Sequence, residues 1–476
     1  MRIYNTLSRK IEEFQPLDPS TVGLYTCGPT VYWSTHIGHM SKYIGDDILK
    51  RVLLYDGYKV KHVMNITDVG HLTSDADEGE DKMEKGAQRE GLSVWEIAKK
   101  YEKEFFETMD ALNVLRPDII ARATEHIADQ IELVKRLEAK GLTYQTDSAV
   151  YFDVDKFPSY GKLFGQKLEE KITGAREEVV VDPQKRHPYD FALWFKMVGR
   201  FAHHVMHWAS PWGDGFPGWH IECSAMSMKY LGESFDIHTG GIDHLGVHHP
   251  AEIAQSEGAT GKPFVKYWVH RVFITVDGKK MSKSLGNFYT LKDVTEKGFE
   301  PLALRYLFLT AHYRQPLNFT WNSLESAQTA YSKLKDFVIS WRETAGREFL
   351  SDEDMVLVDE FRKRFKEKIN DDLNTSEALA VVWEVAKSKL PNSDKLDLVR
   401  DLDQVLGLQL ERASRETKAS LLPPVVAKLV EERGELRKQG KWEEADKLRK
   451  EIEAVGFKVE DTPEGSKAKR AQNKAN

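Results

Sequence analysis

The sequence has only two cysteines in 476 residues, at positions 27 and 223. Two distant cysteines make a poor disulfide framework, which excludes a small disulfide-stabilised domain. The chain also lacks any apolar run near the roughly 18 residues of a membrane span, and its first residues, MRIYNTLSRKIEEF, lack the apolar region of a signal peptide. It has no internal repeat. We therefore expect a cytoplasmic protein that is not associated with a membrane.

The total charge does not favour nucleic acid as a partner. The 68 lysines and arginines are outnumbered by 75 aspartates and glutamates, for a formal net charge of −7. A local basic face remains compatible with this total, and nucleic-acid binding operates at that local level. A hydrophobic fraction of 41% with 30% charged residues indicates a globular protein, and a chain of this length should divide into several domains.

Residues 21–66 predict a β-α-β unit. TVGLYTC is a β-prone run, HIGHMSKYIGDDILKRVLLYDG is an amphipathic helix that ends at Gly57, and YKVKHVMNITD is a second strand. Residues 92–140 have a helical pattern, residues 142–200 have the irregular pattern of an insertion, and a second α/β block covers residues 206–275. Such units favour a parallel sheet with helices on its faces. We predict an α/β fold with a Rossmann-like parallel-sheet domain split by an insertion, then an all-α helix bundle and a small C-terminal domain.

The C-terminal third has a different character. Residues 300–412 carry long helical patterns and no convincing strand, which predicts a helix bundle. Pro423 and Pro424 indicate a linker, and two helices joined by a turn at Gly440 follow it. For Trp442 we favour an anchor of this helix pair over a base-stacking residue. The last eleven residues, SKAKRAQNKAN, predict a frayed tail rather than one that holds a polyanion.

His36 and His39 lie three residues apart at the predicted start of a helix, so they share one face. A helix N-terminus favours anionic oxygens, and two imidazoles there are placed to donate hydrogen bonds to a triphosphate. Gly38 between them allows the backbone to approach a base or ribose closely. Paired histidines are also common on helix surfaces, so this pattern alone is weak evidence.

A second candidate segment is DGKKMSKSLGN, at residues 277–287. Lys280 and Lys283 are separated by small, flexible residues, and glycines lie on both sides of the segment. A mobile loop of this kind brings ammonium groups to a leaving pyrophosphate, where they contribute most as the transition state forms. A solvated basic loop explains the isolated pentapeptide equally well.

Both cysteines have candidate partners for a metal. Cys27 follows the first predicted strand, where open α/β sheets place ligand sites, and Cys223 precedes a segment with His248 and Glu252. Two thiolates, an imidazole and a carboxylate can make a four-coordinate zinc site. A lone buried cysteine is more often a small apolar residue, and that alternative stays open. Pro250 is expected in the first turn of a helix, so His248 would precede that helix rather than share a face with Glu252.

The motifs together resemble a known family. HIGH at 36–39 and KMSKS at 280–284 resemble the two signatures of class I aminoacyl-tRNA synthetases, in the right order. TCGPTVY, SPWGDGFPGWHIECSAM, HHPAEIAQSE, KKMSKSLGNF and the later EADKLRKEIEAVGFKVEDTPEG look like the cysteinyl-tRNA synthetase family, across nearly the whole chain. The resemblance implies that L-cysteine is activated with ATP and Mg²⁺ as its adenylate and then transferred to tRNA(Cys). We also expect a monomer.

The resemblance implies roles for individual residues. The implied zinc ligands, for one Zn²⁺ per chain, are Cys27, Cys223, His248 and Glu252. The implied catalytic residues are His36, His39, Lys280 and Lys283. The implied ATP-binding residues are Gly38, Asp243, Ser282 and Lys283. The implied substrate-binding residues are Gly28, Thr67 and Trp219. From local sequence alone, a turn-stabilising aspartate and a core tryptophan remain alternatives for Asp243 and Trp219.

A zinc ion that binds the substrate thiolate makes chemical sense. Cysteine and serine differ by one atom, and a pocket that recognises shape alone separates near-isosteres poorly. A borderline-soft cation prefers thiolate to hydroxyl, so no separate editing domain is required.

The resemblance also assigns the domains. The expected boundaries are 1–115 for the first half of the nucleotide-binding catalytic domain, 116–205 for a connective insertion, 206–275 for the second half with the zinc ligands, 276–310 for the KMSKS loop and stem-contact region, 311–420 for the helix bundle, and 421–476 for the C-terminal anticodon-binding region and basic tail.

Some positions depart from the family pattern, namely Met40, Ser41, Phe216 and the segments 70–80 and 244–251. These changes leave both signatures and the four zinc positions intact. They place secondary contacts to ATP or substrate in question and suggest a divergent branch.

The segment FAHHVMHW holds three histidines, His203, His204 and His207, which form an alternative metal cluster by spacing. No thiol or carboxylate nearby in the sequence completes that set. We therefore expect these histidines on the surface or behind the site.

Two other functions stay open. One is a ligase that transfers cysteine from the adenylate to a small amine, as in mycothiol synthesis, and the C-terminal region counts against it. The other is a non-catalytic RNA-binding relative, and the intact histidines and lysines of the two signatures count against that.

Overall fold

A five-stranded parallel sheet forms the centre of the computed structural model. In chain order its strands are β1 (Thr21–Thr26), β2 (Lys59–Ile66), β3 (Ile119–Arg122), β4 (Phe235–Gly241) and β5 (Val265–Arg271). They lie side by side in the order β5-β4-β1-β2-β3, and every neighbouring pair is parallel. The strand order reverses between β1 and β4, which opens a crevice at the carboxyl ends of these two strands. The predicted α/β class is confirmed.

The structure describes the chain apart from residues 71, 75–77, 166–181, 283–284, 345, 347–350, 415–423, 463–464 and 471–476. Among the described residues, no helix is both long enough and apolar enough to cross a membrane.

Three helices pack on the sheet beside the crevice: α1 (Ile37–Tyr55), α2 (Trp219–Leu231) and α3 (His248–Thr260). Alternate residues of β1 enter different cores. Leu24 packs into the cluster that contains the apolar face of α1, whereas Tyr25 packs with residues of α2 and α3. The sheet thus carries helices on both faces, as the β-α-β pattern predicted.

The first predicted helix is confirmed, since α1 ends at Tyr55, two residues before Gly57, which has φ +92°. The helical pattern over residues 92–140 is only partly correct. It contains the helices Val94–Ala111 and Ile127–Ala139, but β3 lies between them. Four residues are too few to show the period that distinguishes a strand, so the flanking helices determined the prediction.

The insertion is built on an antiparallel sheet. Its strands are Thr143–Gln145, Ala149–Phe152, Phe191–Lys196 and Gly215–Pro217. The last strand lies beyond the expected end of the insertion at residue 205, and β3, inside the expected range of 116–205, belongs to the parallel sheet. Other elements before α2 are the hairpin strands Arg2–Asn5 and Lys10–Glu13, the strands Leu72–Ser74 and Glu78–Asp81, and the helix Lys82–Glu90.

The predicted helix bundle is present, with one difference. Its helices are Leu291–Glu296, Pro301–Leu309, Trp321–Thr344, Asp352–Ile369, Thr375–Lys387 and Asn392–Leu406. A short strand, Leu317–Phe319, interrupts them and pairs in parallel with Ile274–Val276, which also pairs with Lys279–Lys280. This strand ties the bundle to the loop that carries the lysine motif, and its three residues leave no readable period.

A buried ion pair joins α1 to the bundle. Arg305 Nη2 lies 2.5 Å from Asp47 Oδ2, and both side chains are fully buried. Arg51, one turn along α1, donates its Nε to the same oxygen at 2.7 Å. Arg305 also donates to backbone carbonyls of the bundle and of the loop after the helix Val94–Ala111. The helix that begins with the histidine motif is therefore fixed against the bundle.

The C-terminal region forms a small module of two helices, Pro424–Lys438 and Trp442–Ala454, and two paired strands, Phe457–Thr462 and Gly465–Arg470. The turn at Gly440 is confirmed, with φ +75°. The frayed tail is wrong for residues 466–470, because their backbone pairs with the preceding strand, and residues 471–476 lie outside the described residues. Trp442 is 59% exposed and lies under the Arg437 guanidinium, so it does not anchor the helix pair through burial.

Candidate active site

Four potential metal ligands meet at the crevice between β1 and β4. Cys27 follows the last residue of β1, Cys223 lies in α2, and His248 and Glu252 lie in the first turns of α3. Their ligand atoms all lie within 4.8 Å of one another, and all four residues are buried. The set that the sequence indicated is therefore brought together.

The start of α3 differs from the expectation. Pro250 does lie in the first turn, but the helix begins at His248 rather than after it. His248 and Glu252 consequently share a face, with Nε2 and Oε1 3.1 Å apart. Proline is tolerated in a first turn because its missing N–H has no helical acceptor there, so it does not set the first residue of the helix.

The chemistry of these four residues suits Zn²⁺. Glu252 Oε1 is buried and accepts no hydrogen bond of good geometry from any described group, although His248 Nε2 is close. A buried carboxylate oxygen without a donor is costly, and a cation would remove that cost. Thiolate, imidazole and carboxylate are the ligands that zinc takes in proteins. The residues therefore fit the ion.

Further histidines orient the ligands. His238 Nε2 contacts Glu252 Oε2 at 2.9 Å, and His220 Nδ1 lies 2.9 Å from His248 Nδ1. Such contacts fix the rotamer of a ligand and, for imidazole, its tautomer. His238 and His249 also form a second possible ligand set with Cys27 and Glu252, within the same 4.8 Å limit. Sequence reasoning missed both residues, although His238 lies in a strand that ends at the crevice.

The two thiols have opposite pKa shifts. Burial alone would raise the pKa of Cys27, but the hydrogen bond with Cys223 and the charge of His238 outweigh it and lower that pKa well below the ordinary value. Burial and the neighbouring Cys27 raise the pKa of Cys223. Cys27 is therefore the more acidic thiol of the pair, which suits cation binding.

His36 caps α1 with its side chain. Its Nδ1 accepts hydrogen bonds from the backbone N–H groups of Gly38 and His39, at 3.1 and 3.3 Å. The proton of the neutral ring is then on Nε2, and the ring stacks on His39 with centroids 3.6 Å apart. The sequence predicted that the helix N-terminus offers backbone donors to an anion, but the capping histidine occupies two of them.

The two signature motifs meet at Gly38. A Cβ atom there would lie 2.9 Å from the His36 ring and 3.0 Å from Met281 Cε, so only glycine fits without a shift. Ile37 N–H donates to the Tyr289 carbonyl at 2.9 Å, which holds the chain after the lysine motif against the start of α1. The sequence separates these segments by some 240 residues, and the fold places them in contact.

The lysine motif is only partly described. Lys280 ends the exposed strand Lys279–Lys280, whereas Lys283 lies outside the described residues. The Asn287 side chain donates to the Lys280 carbonyl at 3.1 Å and accepts from Ser282 N–H at 2.7 Å. This buried asparagine fixes the base of the loop, and sequence reasoning missed it.

The other predicted contacts lie around the same crevice. Thr67 Oγ1 donates to Glu222 at 2.9 Å, and Trp219 stacks on His248 with ring centroids 4.3 Å apart. Gly28 N–H donates to the Asn65 side chain at 2.7 Å, and a Cβ at Gly28 would lie 1.6 Å from the Asn65 carbonyl oxygen. A close backbone approach thus requires this glycine.

Asp243 lies just past the end of β4, in the short 3-10 helix Ile242–Leu245, and is exposed. Its Oδ1 lies so close to Gly241 that a Cβ there would be 2.2 Å away. This position is compatible with both roles expected for Asp243, which are a carboxylate at the crevice and a residue that stabilises the turn.

Among the residues that the structure describes, no candidate metal cluster includes His204. This histidine is buried, stacks on Phe216 and contacts Asp81 Oδ2 through Nε2 at 3.1 Å. The carboxylate beside His204 is that of Asp81, which approaches from a distant part of the sequence, so the local spacing of the histidines could not indicate it. Phe216 fills the antiparallel-sheet core, which accounts for an apolar residue at that departure.

Comparison with known proteins identifies the family. Residues 13–329 match the family described as "tRNA synthetases class I (C) catalytic domain", and residues 364–389 match the DALR domain. A "Cysteine--tRNA ligase 1" of Burkholderia lata is 47% identical over 469 residues, covering 98% of this chain and 96% of the relative. A "Cysteine--tRNA ligase" of Thermus thermophilus is 46% identical over 480 residues, covering 97% of this chain and 98% of the relative.

Solved structures share the fold at low identity. Methionyl-tRNA synthetase of Mycobacterium tuberculosis in complex with methionyl-adenylate has a TM-score of 0.55 at 16% identity, covering 82% of this chain and 90% of that one. A LeuRS–tRNA–LeuAMS complex of Agrobacterium radiobacter has a TM-score of 0.60 at 13% identity, covering 85% of each chain. The resemblance that the motifs indicated is confirmed, and the chain belongs to the cysteine–tRNA ligase family of class I aminoacyl-tRNA synthetases.

Proposed function

We propose that this chain ligates L-cysteine to tRNA(Cys) at the expense of ATP. The observation that carries the proposal is the meeting of three groups at one crevice. The buried cluster of Cys27, Cys223, His248 and Glu252 lies at the switch point of the sheet. The helix that begins with the histidine motif reaches the Cys27 carbonyl through Lys42, and the lysine motif packs against Gly38. The near full-length similarity to curated cysteine–tRNA ligases supports the same conclusion.

The reaction has two steps. A carboxylate oxygen of cysteine attacks the α-phosphorus of ATP, the bond to the bridging oxygen breaks, and pyrophosphate leaves with Mg²⁺. A ribose hydroxyl of the terminal adenosine of tRNA then attacks the carbonyl carbon of the adenylate, and AMP leaves. Negative charge grows on the phosphate oxygens in the first step, so donors and cations placed there lower the barrier.

The histidine motif would supply the donors. Because Nδ1 of His36 is engaged by the start of α1, its Nε2 proton is the one directed to a phosphate oxygen. His39 is exposed and stacks on His36, so the two rings present one surface. Lys280, and Lys283 beyond the described residues, would draw the charge of the leaving pyrophosphate.

The metal cluster would determine the selectivity for cysteine. Cys27, Cys223, His248 and Glu252 would hold one Zn²⁺, which supplies a soft Lewis acid that binds a thiolate in preference to a hydroxyl. The chain keeps all four side chains buried, so water has little access to the site. Trp219 stacks on His248 and forms one wall beside it, where the substrate would lie.

The C-terminal regions of the chain would contact the tRNA. By similarity to the family, residues 311–420 would lie along the tRNA, and residues 421–476 would approach the anticodon. We also propose a cytoplasmic monomer, as expected from the resemblance.

Cysteine-dependent exchange of labelled pyrophosphate into ATP tests the first step. We expect exchange with cysteine and at least about 100-fold less with serine, because thiolate coordination is the basis of the choice. Absence of exchange with every amino acid would favour the non-catalytic relative. Exchange with cysteine but no transfer to tRNA would favour the small-amine ligase.

A further inference from the structure

The peptide group that follows Cys27 has an unusual neighbour. β1 ends at Thr26, so the Cys27 carbonyl lies one residue beyond the end of the strand. Lys42 Nζ of α1 donates to this oxygen at 2.5 Å. The adjoining groups are also held, since Cys27 N–H donates to the Thr239 carbonyl at 3.3 Å and Gly28 N–H donates to Asn65 Oδ1 at 2.7 Å. Three elements thus fix the backbone that carries one thiol.

Lys42 is itself held in place. Asp46, one turn along α1, lies 2.8 Å from Lys42 Nζ, and the two side chains are only 10–12% exposed. Asp46 also faces the Arg271 guanidinium at the end of β5, and Arg271 donates its Nε to Ser41 Oγ at 2.9 Å. A buried ammonium of this kind is not a solvated surface charge, and its position is set by the fold.

The positive charge of Lys42 lies close to the negative charges of the proposed zinc ligands. Two thiolates and one carboxylate carry three negative charges, which exceed the two positive charges of a zinc ion, and a substrate thiolate adds a fourth. Lys42 and Arg271 together place two positive charges against the one negative charge of Asp46, so the net positive charge next to the ligand set reduces this excess. The low dielectric of a buried site strengthens this effect.

We propose that Lys42 is a positioning residue for the metal cluster: it fixes the Cys27 peptide group, and thereby the thiolate, and its charge offsets the excess negative charge of the ligands. This inference rests on the proposed zinc site and adds a residue outside both signature motifs. Its ammonium group contacts the Cys27 carbonyl, so it acts through Cys27.

The matched control is Lys50, on the same helix. Lys50 is similarly buried and also donates to a backbone carbonyl, that of Arg116, at 2.9 Å, with Asp118 as its acidic neighbour. It packs beside β2 and β3 rather than at the crevice. Lys50→Met therefore removes the same charge and the same kind of contact as Lys42→Met, away from the cluster.

The experiment measures zinc affinity on the full-length protein by competition with a chromophoric chelator. We expect Lys42→Met to raise the zinc dissociation constant by about 10- to 100-fold, as is typical when a group that orients a ligand is lost. Lys50→Met should leave it unchanged, and Lys42→Arg, which keeps the charge and the donor, should restore most of the affinity. In the cobalt-substituted protein, the thiolate charge-transfer absorption should change in Lys42→Met and not in Lys50→Met.

Each outcome bears on the inference. Wild-type zinc affinity and an unchanged cobalt spectrum in Lys42→Met would overturn it while leaving the proposed function intact. If the wild-type chain bound no zinc, or if Cys223→Ser bound zinc equally well, the metal site and the inference would be overturned together. If circular dichroism shows that Lys42→Met is unfolded, Lys42→Gln replaces it, because it also removes the charge; a loss of zinc affinity is then the expected result, and no loss is the contradicting one.

Discussion

Replacing Arg305 with methionine should destabilise the contact between α1 and the helix bundle by about 3 kcal/mol. Removing one partner of a buried ion pair costs about 3 to 5 kcal/mol. The lower end applies because Asp47 keeps Arg51 Nε at 2.7 Å and the Leu115 N–H at 2.8 Å.

Urea unfolding followed by circular dichroism measures this loss. With a slope of about 3 kcal/mol per molar urea, the midpoint should fall by about 1 M. The control is Arg362→Met, which removes an exposed pair with Asp401 of 2.9 Å and should cost less than about 1 kcal/mol. If both variants shifted the midpoint equally, the buried pair would not fix α1 to the bundle, and the reasoning would be refuted.

Three further predictions concern the site and its surroundings. Cys223→Ser should raise the dissociation constant of cysteine by about 10-fold or more and leave that of ATP unchanged in calorimetry, and equal losses of both would make the metal merely structural. Gly38→Ala should lower kcat/KM for ATP by about 10-fold, because the added methyl displaces the capping histidine and the lysine motif, whereas Gly434→Ala, in open space on an exposed helix, should change nothing. His204→Gln should destabilise the fold more at pH 6 than at pH 8.5. Burial lowers the pKa of His204, but the contact with Asp81 outweighs burial and raises that pKa. The stabilisation by His204 is therefore complete below the unfolded pKa of about 6.5 and is lost as the pH rises through the folded pKa. An equal loss of unfolding free energy at both pH values would contradict that assignment.

The sequence predicted the features that repeat or that carry a chemical signature. The period of α1 is regular over five turns, and the strand before it is apolar, so the β-α-β unit was readable. Residue type made two cysteines, a histidine and a glutamate candidate ligands, and the resemblance to the family assigned them as one set. In each case the evidence lies in short segments of the sequence.

The remaining features depend on contacts between distant segments. Asp81 pairs with His204 across more than a hundred residues, and the short strands at 119–122 and 317–319 exist because a neighbouring strand offers an edge. Residues 466–470 similarly become a strand by pairing with the one before them. Lys42 is an ordinary helical lysine in the sequence, and only the fold places its ammonium group at the Cys27 carbonyl.

The charging of tRNA tests the central claim most directly. The purified chain is incubated with ATP, labelled cysteine and total tRNA, and the acid-precipitable label is counted before and after ribonuclease. Label that disappears on ribonuclease treatment is the expected result and establishes a cysteine–tRNA ligase. A cysteine-dependent adenylate without ribonuclease-sensitive label would contradict the acceptor assignment and point to a small amine instead.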